Sequence, residues 1–354
     1  MGSRVACSGD VASGLAATRL TNSKKGCDGG VMKLSAWDMF VNGLWNWKRW
    51  TYPATPKLPA KPWHRDGDVF VTALPKTLHP ASDLAIEHLL QTDRTAAGIT
   101  VFTGSTVPTS NGLVNGYPLN LVAATDARFW VSHEFGAAKI WISTGWSSPY
   151  GKTVRYNPRM MIQGNPMQDY SDHKLHIFDA TALTITECGE FYDRGNNCLQ
   201  ARKVTQHSLL DDSSAAVGCS VAGVSLAEHT LRYDDLVVRG WVQRASMGVA
   251  AASPEYVWPA TNSDGSSAAL DAPPMGSILR LKESARTRMT VQGFGRGSNP
   301  QANSVMDCYS GPGIMIVDSG SRNSTMLEPD NRWDQTDLGA LKKLTIKDFD
   351  LWVM

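Results

Sequence analysis

The stretch HKLHIFDATALTITECGEFYD, residues 173–193, decides the reading of the fold. Its two parts, HKLHIFDA and LTITECGEFYD, alternate β-branched and aromatic residues with polar ones, the pattern of strands. The same pattern recurs outward in both directions. Upstream stand DVFVTAL, GITVFTG, NLVAAT, RFWVSH and AKIWIST; downstream stand LVVRGWVQ, EYVWPA, SILRLKE, RMTVQGF and GIMIVDSG. Gly, Pro, Asn and Ser punctuate these runs. Two segments read as helices. SDLAIEHLLQTD has Ser82 or Asp83 as its cap and Leu84, Ile86, Leu89 and Leu90 on one face, and DQTDLGALKKL precedes a final strand, TIKDFDLWVM. The expected fold is mainly β: a sandwich or barrel-like domain, or domains, with few short helices.

Residues 1–63 differ from the rest. Trp37, Trp45, Trp47, Trp50 and Trp63 crowd into one segment that also carries Pro53, Pro56, Pro59 and Pro62. Each proline fixes its own φ and restrains the residue before it, so the segment reads as an extended arm and linker. Residues 64–354 form the β-rich body, with a split near 165 left open. The arm is expected to pack on a sister subunit or on the outside of the body.

The chain has 354 residues, 42% of them hydrophobic and 19% charged, with a formal net charge of +1. The charged share is low, so Ser, Thr, Asn, Gln and Gly must supply surface polarity, as in secreted and virion proteins. The charge balance argues against nucleic acid as a partner, because phosphate binding needs a basic excess. No apolar run is long enough to span a bilayer. The first twenty residues, MGSRVACSGDVASGLAATRL, lack the apolar stretch of a signal peptide. An extracellular or virion-surface location therefore implies a removed leader or release by lysis.

Of the six cysteines, Cys7, Cys27, Cys188, Cys198, Cys219 and Cys308, none forms a C-x-x-C pair. Cys188 and Cys198 flank GEFYDRGNN, whose turn brings strand ends close enough for a bridge. Cys7 and Cys27 could staple the start of the chain. Six free thiols remain an equal alternative.

Seven blocks carry a resemblance. They are SDHKLHIFD (171–179), TITECGEFYD (184–193), LRYDDL (231–236), YVWPA (256–260), PPMGSILRLK (273–282), GIMIVDSGS (313–321) and DNRWDQTDLGALKKLTIKDFD (330–350). In order and content they resemble blocks of an uncharacterised group of secreted, β-rich bacterial proteins common in soil bacteria. The resemblance covers about residues 165–350 and implies an extracellular β fold rather than a reaction. The chain departs from that group at Lys174, Arg244 and Thr261-Asn262, where the group carries His, His and Arg-His. Any chemistry that depends on those groups would be lost here.

Four carboxylates sit in these blocks: Asp172, Glu187, Asp234 and Asp235. Two carboxyl groups facing across a groove are what glycoside hydrolysis requires. The competing reading is structural, with Asp172 capping a turn, Asp234 paired with Arg232 and Glu187 facing solvent on its strand. Lys174 and Arg232 bias Asp172 and Asp234 toward the ionised form, which leaves Glu187 as the best general acid. Trp45, Trp47 and Trp258 are the candidate aromatic contacts for a sugar ring, with core or interface packing as the alternative. No metal site is expected. His173 and His176 would face opposite sides of a strand, and HEFGA lacks the second histidine of a zinc motif. GFGRGS (293–298) lacks the strand-turn-helix context of a phosphate loop and reads as a hairpin tip. Asn323-Ser324-Thr325 fits a glycosylation motif. No cofactor is indicated. The leading expectation is a structural or glycan-contacting protein of a virion or cell envelope, with sister subunits, other surface proteins or glycans as partners. The alternative is a carbohydrate-active enzyme using carboxylates of the second half.

Overall fold

The computed structural model describes residues 77–92, 100–102, 116–122, 125–132, 152–156, 160–163, 172–179, 181–193, 199–208, 218–320, 322–330 and 332–354. The arm of residues 1–63, with Trp45 and Trp47, lies outside the described residues, as do Cys7, Cys27, Cys198, the DVFVTAL and AKIWIST runs and His133-Glu134.

In chain order the elements are β1 (Thr77–Leu78), α1 (Ser82–Thr92), β2 (Thr100–Phe102), β3 (Leu119–Val122), β4 (Arg128–Ser132), β5 (Lys152–Arg155), β6 (Leu175–Asp179), β7 (Thr184–Gly189), β8 (Tyr192–Asp193), β9 (Leu199–Gln200) and β10 (Lys203–Ser208). A π-helical turn (Asp234–Val238) follows, then β11 (Ala245–Val249), β12 (Ile278–Leu281), α2 (Glu283–Val291), α3 (Pro300–Ser310), β13 (Ile314–Ser319), β14 (Ser324–Met326), α4 (Gln335–Leu338) and β15 (Phe349–Val353). Strand exceeds helix, as expected. None of the sheets among the described residues closes into a barrel.

The largest sheet has the order β1-β15-β12-β13-β11-β14-β2. A second runs β10-β7-β6-β3 and a third β5-β4-β9-β8. The first two mix parallel pairs, β11 with β13 and β3 with β6, with antiparallel ones. Burial explains the sequence of the central strands. All five residues of β6 and the first four of β13 are buried, so both faces of each strand are covered, with a continuous apolar run in β13. Chain from both sides of residue 165 enters each hydrophobic core. Ala85 and Leu89 of α1 pack with Met247, Ile316 and Phe349, while Val122 and Val154 pack with Leu175, Phe191 and Val204.

Helix α1 forms where the sequence places it, but its buried face is Ser82, Ala85, Ile86 and Leu89, and Leu84 is exposed. The Ser82 hydroxyl accepts from the Leu351 amide at 2.9 Å, tying the helix start to β15. The segment DQTDLGALKKL is helical, with the Asp334 side chain capping the amides of Thr336 and Asp337. Three expected strands are corrected. The first four residues of RMTVQGF end α2, with Ala285 and Met289 buried one turn apart. LVVRGWVQ runs through the π-helical turn, and EYVWPA makes a single bridge, Tyr256 to Met275. GFGRGS joins two helices instead of forming a hairpin tip.

Candidate functional site

A cleft of about 250 Å³ opens where β11, β13 and β14 of the large sheet meet Tyr117 and Asp172 from chain flanking the second sheet. An irregularity in the pairing of β11 with β13 shapes it. Met247 pairs with Ile316 but Gly248 pairs with Asp318, so Val317 is the extra residue of a bulge. Bulges re-aim side chains, and this one sets Asp318 opposite Gly248. A side chain at Gly248 would stand 3.9 Å from Asp318 Cβ and 3.8 Å from Ser324 Oγ, so glycine leaves the floor of the cleft open.

The lining mixes apolar side chains, Met247, Val317 and Met326, with the hydroxyl groups of Tyr117, Ser246, Ser319 and Ser324. Ser246 is 2% exposed and its Oγ has no hydrogen-bond partner among the described residues. Tyr117, also lining the cleft, is buried. Burial pushes its phenol up, so it stays a protonated donor. Asp318 is half-buried, and burial drives its carboxyl up to about 7, with Asp264 and Asp172 adding to the rise and Lys174 and the Ser319 amide opposing it. Burial works against the Lys174 ammonium, yet Asp172, Cys219, Tyr117 and Asp318 together hold its pKa above the ordinary value. Lys174, one of the departures from the resembling group, is thus a fixed cation behind the cleft. Arg322 lines the rim.

Of the four carboxylates singled out by sequence, only Asp172 lines this cleft. Glu187 is corrected from candidate acid to structural anchor. It is fully buried on β7 and accepts from the Cys219 amide at 2.6 Å, the Ala227 amide at 2.8 Å and the Ser225 hydroxyl. Burial alone would raise its pKa, but His176, His207 and these hydrogen bonds hold it below the ordinary value. A general acid near neutral pH needs the opposite shift. Glu187 instead clamps residues 219–227 onto the second sheet, helped by Lys203 Nζ donating to the Ser220 carbonyl at 2.8 Å and by the His207–Glu228 pair at 3.1 Å. The clamped segment reaches the large sheet through the Ala222 amide, which donates to the Val317 carbonyl at 3.0 Å.

Asp234 and Asp235 lie in the π-helical turn, away from the cleft lining. Asp234 accepts from Arg332 at 2.7 Å, not from Arg232. Asp235 is fully buried between Arg239 at 3.0 Å and Arg232 at 3.6 Å, and Arg232 also meets Glu328 at 3.2 Å. The Arg332 guanidinium stacks 4.3 Å from the Tyr233 ring, which meets Trp333 edge-on at 5.1 Å. The LRYDDL and DNRWD blocks therefore bind each other and hold the fold. Arg244, another departure, is buried and donates to the Pro312 carbonyl at 3.0 Å. Thr261 and Asn262 hydrogen-bond the carbonyls of Ala222 and Val221.

Trp258 and Tyr256, two residues apart in the chain, are each just over half exposed. Trp258 is not part of the cleft lining, although Asp264, further along the same loop, acts electrostatically on Asp318. Cys188 is a buried free thiol whose expected partner, Cys198, lies outside the described residues. The Asn323 side chain is buried, accepting from the Ala250 amide and donating to the Leu89 carbonyl, which closes it to glycosylation. Asp318 escaped the sequence reading because it sits at the end of an apolar strand. The polar turn VDSGS after that strand was the available signal.

His176 lies opposite Glu187 in the β6–β7 pairing, and neither ring nitrogen has a hydrogen-bond partner among the described residues. Burial, with Lys174 adding to it, lowers its pKa from 6.5 to about 4. The folded value lies below the unfolded one, so the stability from keeping this ring neutral is present above pH 6.5. It is lost as pH falls toward about 4, and amounts to about 3 kcal/mol. Urea denaturation at several pH values should show this loss, and His176→Leu should flatten the curve across that window.

The fold and the cleft together define a mainly β protein with a cleft that carries hydroxyl groups and two carboxylates. No protein-family model matches the chain, and neither a curated protein nor a solved structure matches it. In the described residues no helix is long and apolar enough to cross a membrane.

Proposed function

We propose that this is a surface-exposed, glycan-contacting protein of a cell envelope or virion, its sheets stacked as a sandwich, that takes a sugar unit in the cleft. The observation that carries the reading is the unpartnered Ser246 Oγ in the cleft, whose lining also includes the carboxylates Asp172 and Asp318. A buried polar atom without a partner costs free energy unless a ligand or water satisfies it, and sugar hydroxyls both donate and accept. Trp258 and Tyr256 offer ring faces on which a further sugar of the same chain could stack. Sister subunits remain the proposed protein partners.

Calorimetric titration with soluble β-glucan, xylan, galactan and chitin oligosaccharides tests this. The wild type is expected to bind at least one of them. Gly248→Leu, which fills the floor, should weaken that binding by about tenfold or more, and Trp258→Ala by about three- to tenfold. Binding to none of these glycans, or binding unchanged in Gly248→Leu, would refute the assignment.

A further inference from the structure

We infer that the cleft cleaves a glycosidic bond, with Asp318 as proton donor and Asp172 as the base that activates water; this rests on the sugar occupying the cleft as proposed above. Two carboxyl groups from different sheets meet in one open cavity. Asp172 stands just before β6 of the second sheet, and Asp318 lies in β13 of the large sheet. Their surroundings differ in the sense that acid–base chemistry requires. Asp172 is exposed to water, whereas Asp318 is half-buried at the bulge, with the Ser319 amide donating to its Oδ1 at 2.9 Å.

The charged and titratable groups around Asp318 come from every neighbouring element. Lys174 and Asp172 come from the second sheet, Asp264 from the loop after Trp258, Tyr117 from the chain before β3, and Arg322 from the turn before β14. Burial and the two aspartates favour the protonated carboxyl, and Lys174 opposes them without reversing the shift. Asp318 therefore still carries a proton near neutrality. Ser246 and Tyr117 are placed to hold hydroxyl groups of the sugar.

In the reaction the Asp318 proton passes to the leaving oxygen as the glycosidic C–O bond breaks. A water oxygen bonds to the anomeric carbon while Asp172 takes one of its protons. The products are a free reducing sugar and an alcohol, and the proton on Asp172 returns to Asp318 through solvent.

The full chain is tested for reducing-end release from the glycans it binds, with binding measured in parallel by calorimetry. The wild type should release reducing ends from at least one, and the rate should fall as pH rises past about 7. Asp318→Asn and Asp172→Asn should each lower kcat by about a hundredfold or more while binding persists. Asp234→Asn, outside the cleft, should leave turnover unchanged, and circular dichroism confirms that each variant is folded. Binding without reducing-end release by the wild type overturns catalysis and leaves the binding reading standing. Turnover unchanged in Asp318→Asn overturns its role, and binding to no glycan removes the binding reading and this inference together.

Discussion

Glu187→Ala should cost the fold about 3–5 kcal/mol, the range for removing one member of a buried, charge-assisted set. The carboxylate gathers three donors, the Cys219 and Ala227 amides and the Ser225 hydroxyl, at a point with no exposure to solvent. Its removal leaves two buried amides without acceptors, each a desolvation penalty of about 1–3 kcal/mol. Glu187→Gln should fare little better, because an amide NH₂ would be set against N–H donors on one side. The folded pKa is held below the unfolded one. This stability is therefore present above the unfolded value near 4.5 and is lost as pH falls through the folded one. That window lies below the His176 window, so the two contributions separate in a pH series. Urea denaturation of the wild type and both variants measures the effect. A Glu187→Gln protein of full stability that loses glycan turnover would restore Glu187 as the catalytic acid and refute the anchor.

Gly276→Ala should be among the most damaging single substitutions in the chain, costing about 4 kcal/mol. Gly276 belongs to the PPMG block and has φ of +85°, a region that side chains rarely occupy. A Cβ there would stand 2.1 Å from the Val257 carbonyl oxygen and 2.9 Å from Ala260 Cβ. The Val257 oxygen is backbone, and the Val257 amide donates to the Met275 carbonyl, so the neighbour cannot yield without breaking the YVWPA–PPMG contact. Gly293 supplies the control. Its φ is +88°, but a Cβ would meet nothing within 4 Å. Gly293→Ala should therefore cost only the conformational penalty of about 1–2 kcal/mol. Thermal and urea denaturation of both variants separate the steric part from the torsional part. Equal costs at the two positions would show that the close approach to Val257 contributes nothing.

Much of the fold was legible because its signals are local. The strands around Leu175–Asp179 and Thr184–Gly189 carry their own β-branched and aromatic residues, and Asp334 caps α4 from within its own segment. Helices α2 and α3 were not legible because their supports are distant. Helix α3 has no side-chain cap from Asn299; Asp337, more than thirty residues on, accepts from the amides of Gln301 and Ala302 at 2.8 and 3.1 Å. The expected LVVRGWVQ strand after Asp234 and Asp235 failed for a related reason. The buried ion pairs of Arg232 with Glu328 and of Asp235 with Arg239 stabilise a helical turn there against the β-prone LVV that follows.

The site divides in the same way. The sequence by itself determined that the protein is mainly β, and it marked Asp172, Glu187, Asp234 and Asp235 as carboxylates set in its later blocks. Residue type and period-two spacing carry that information along the chain. Only the tertiary structure decided which carboxylate lines a cleft together with Asp172. Glu187 and Asp318 are both acids in β-type segments, and what separates them is their surroundings. Three donors converge on Glu187 and keep it charged, whereas a bulge opens Asp318 to a cleft with a single amide donor. A pKa is set by desolvation, neighbouring charge and hydrogen bonds, and those neighbours are brought together only by the pairing of strands far apart in sequence.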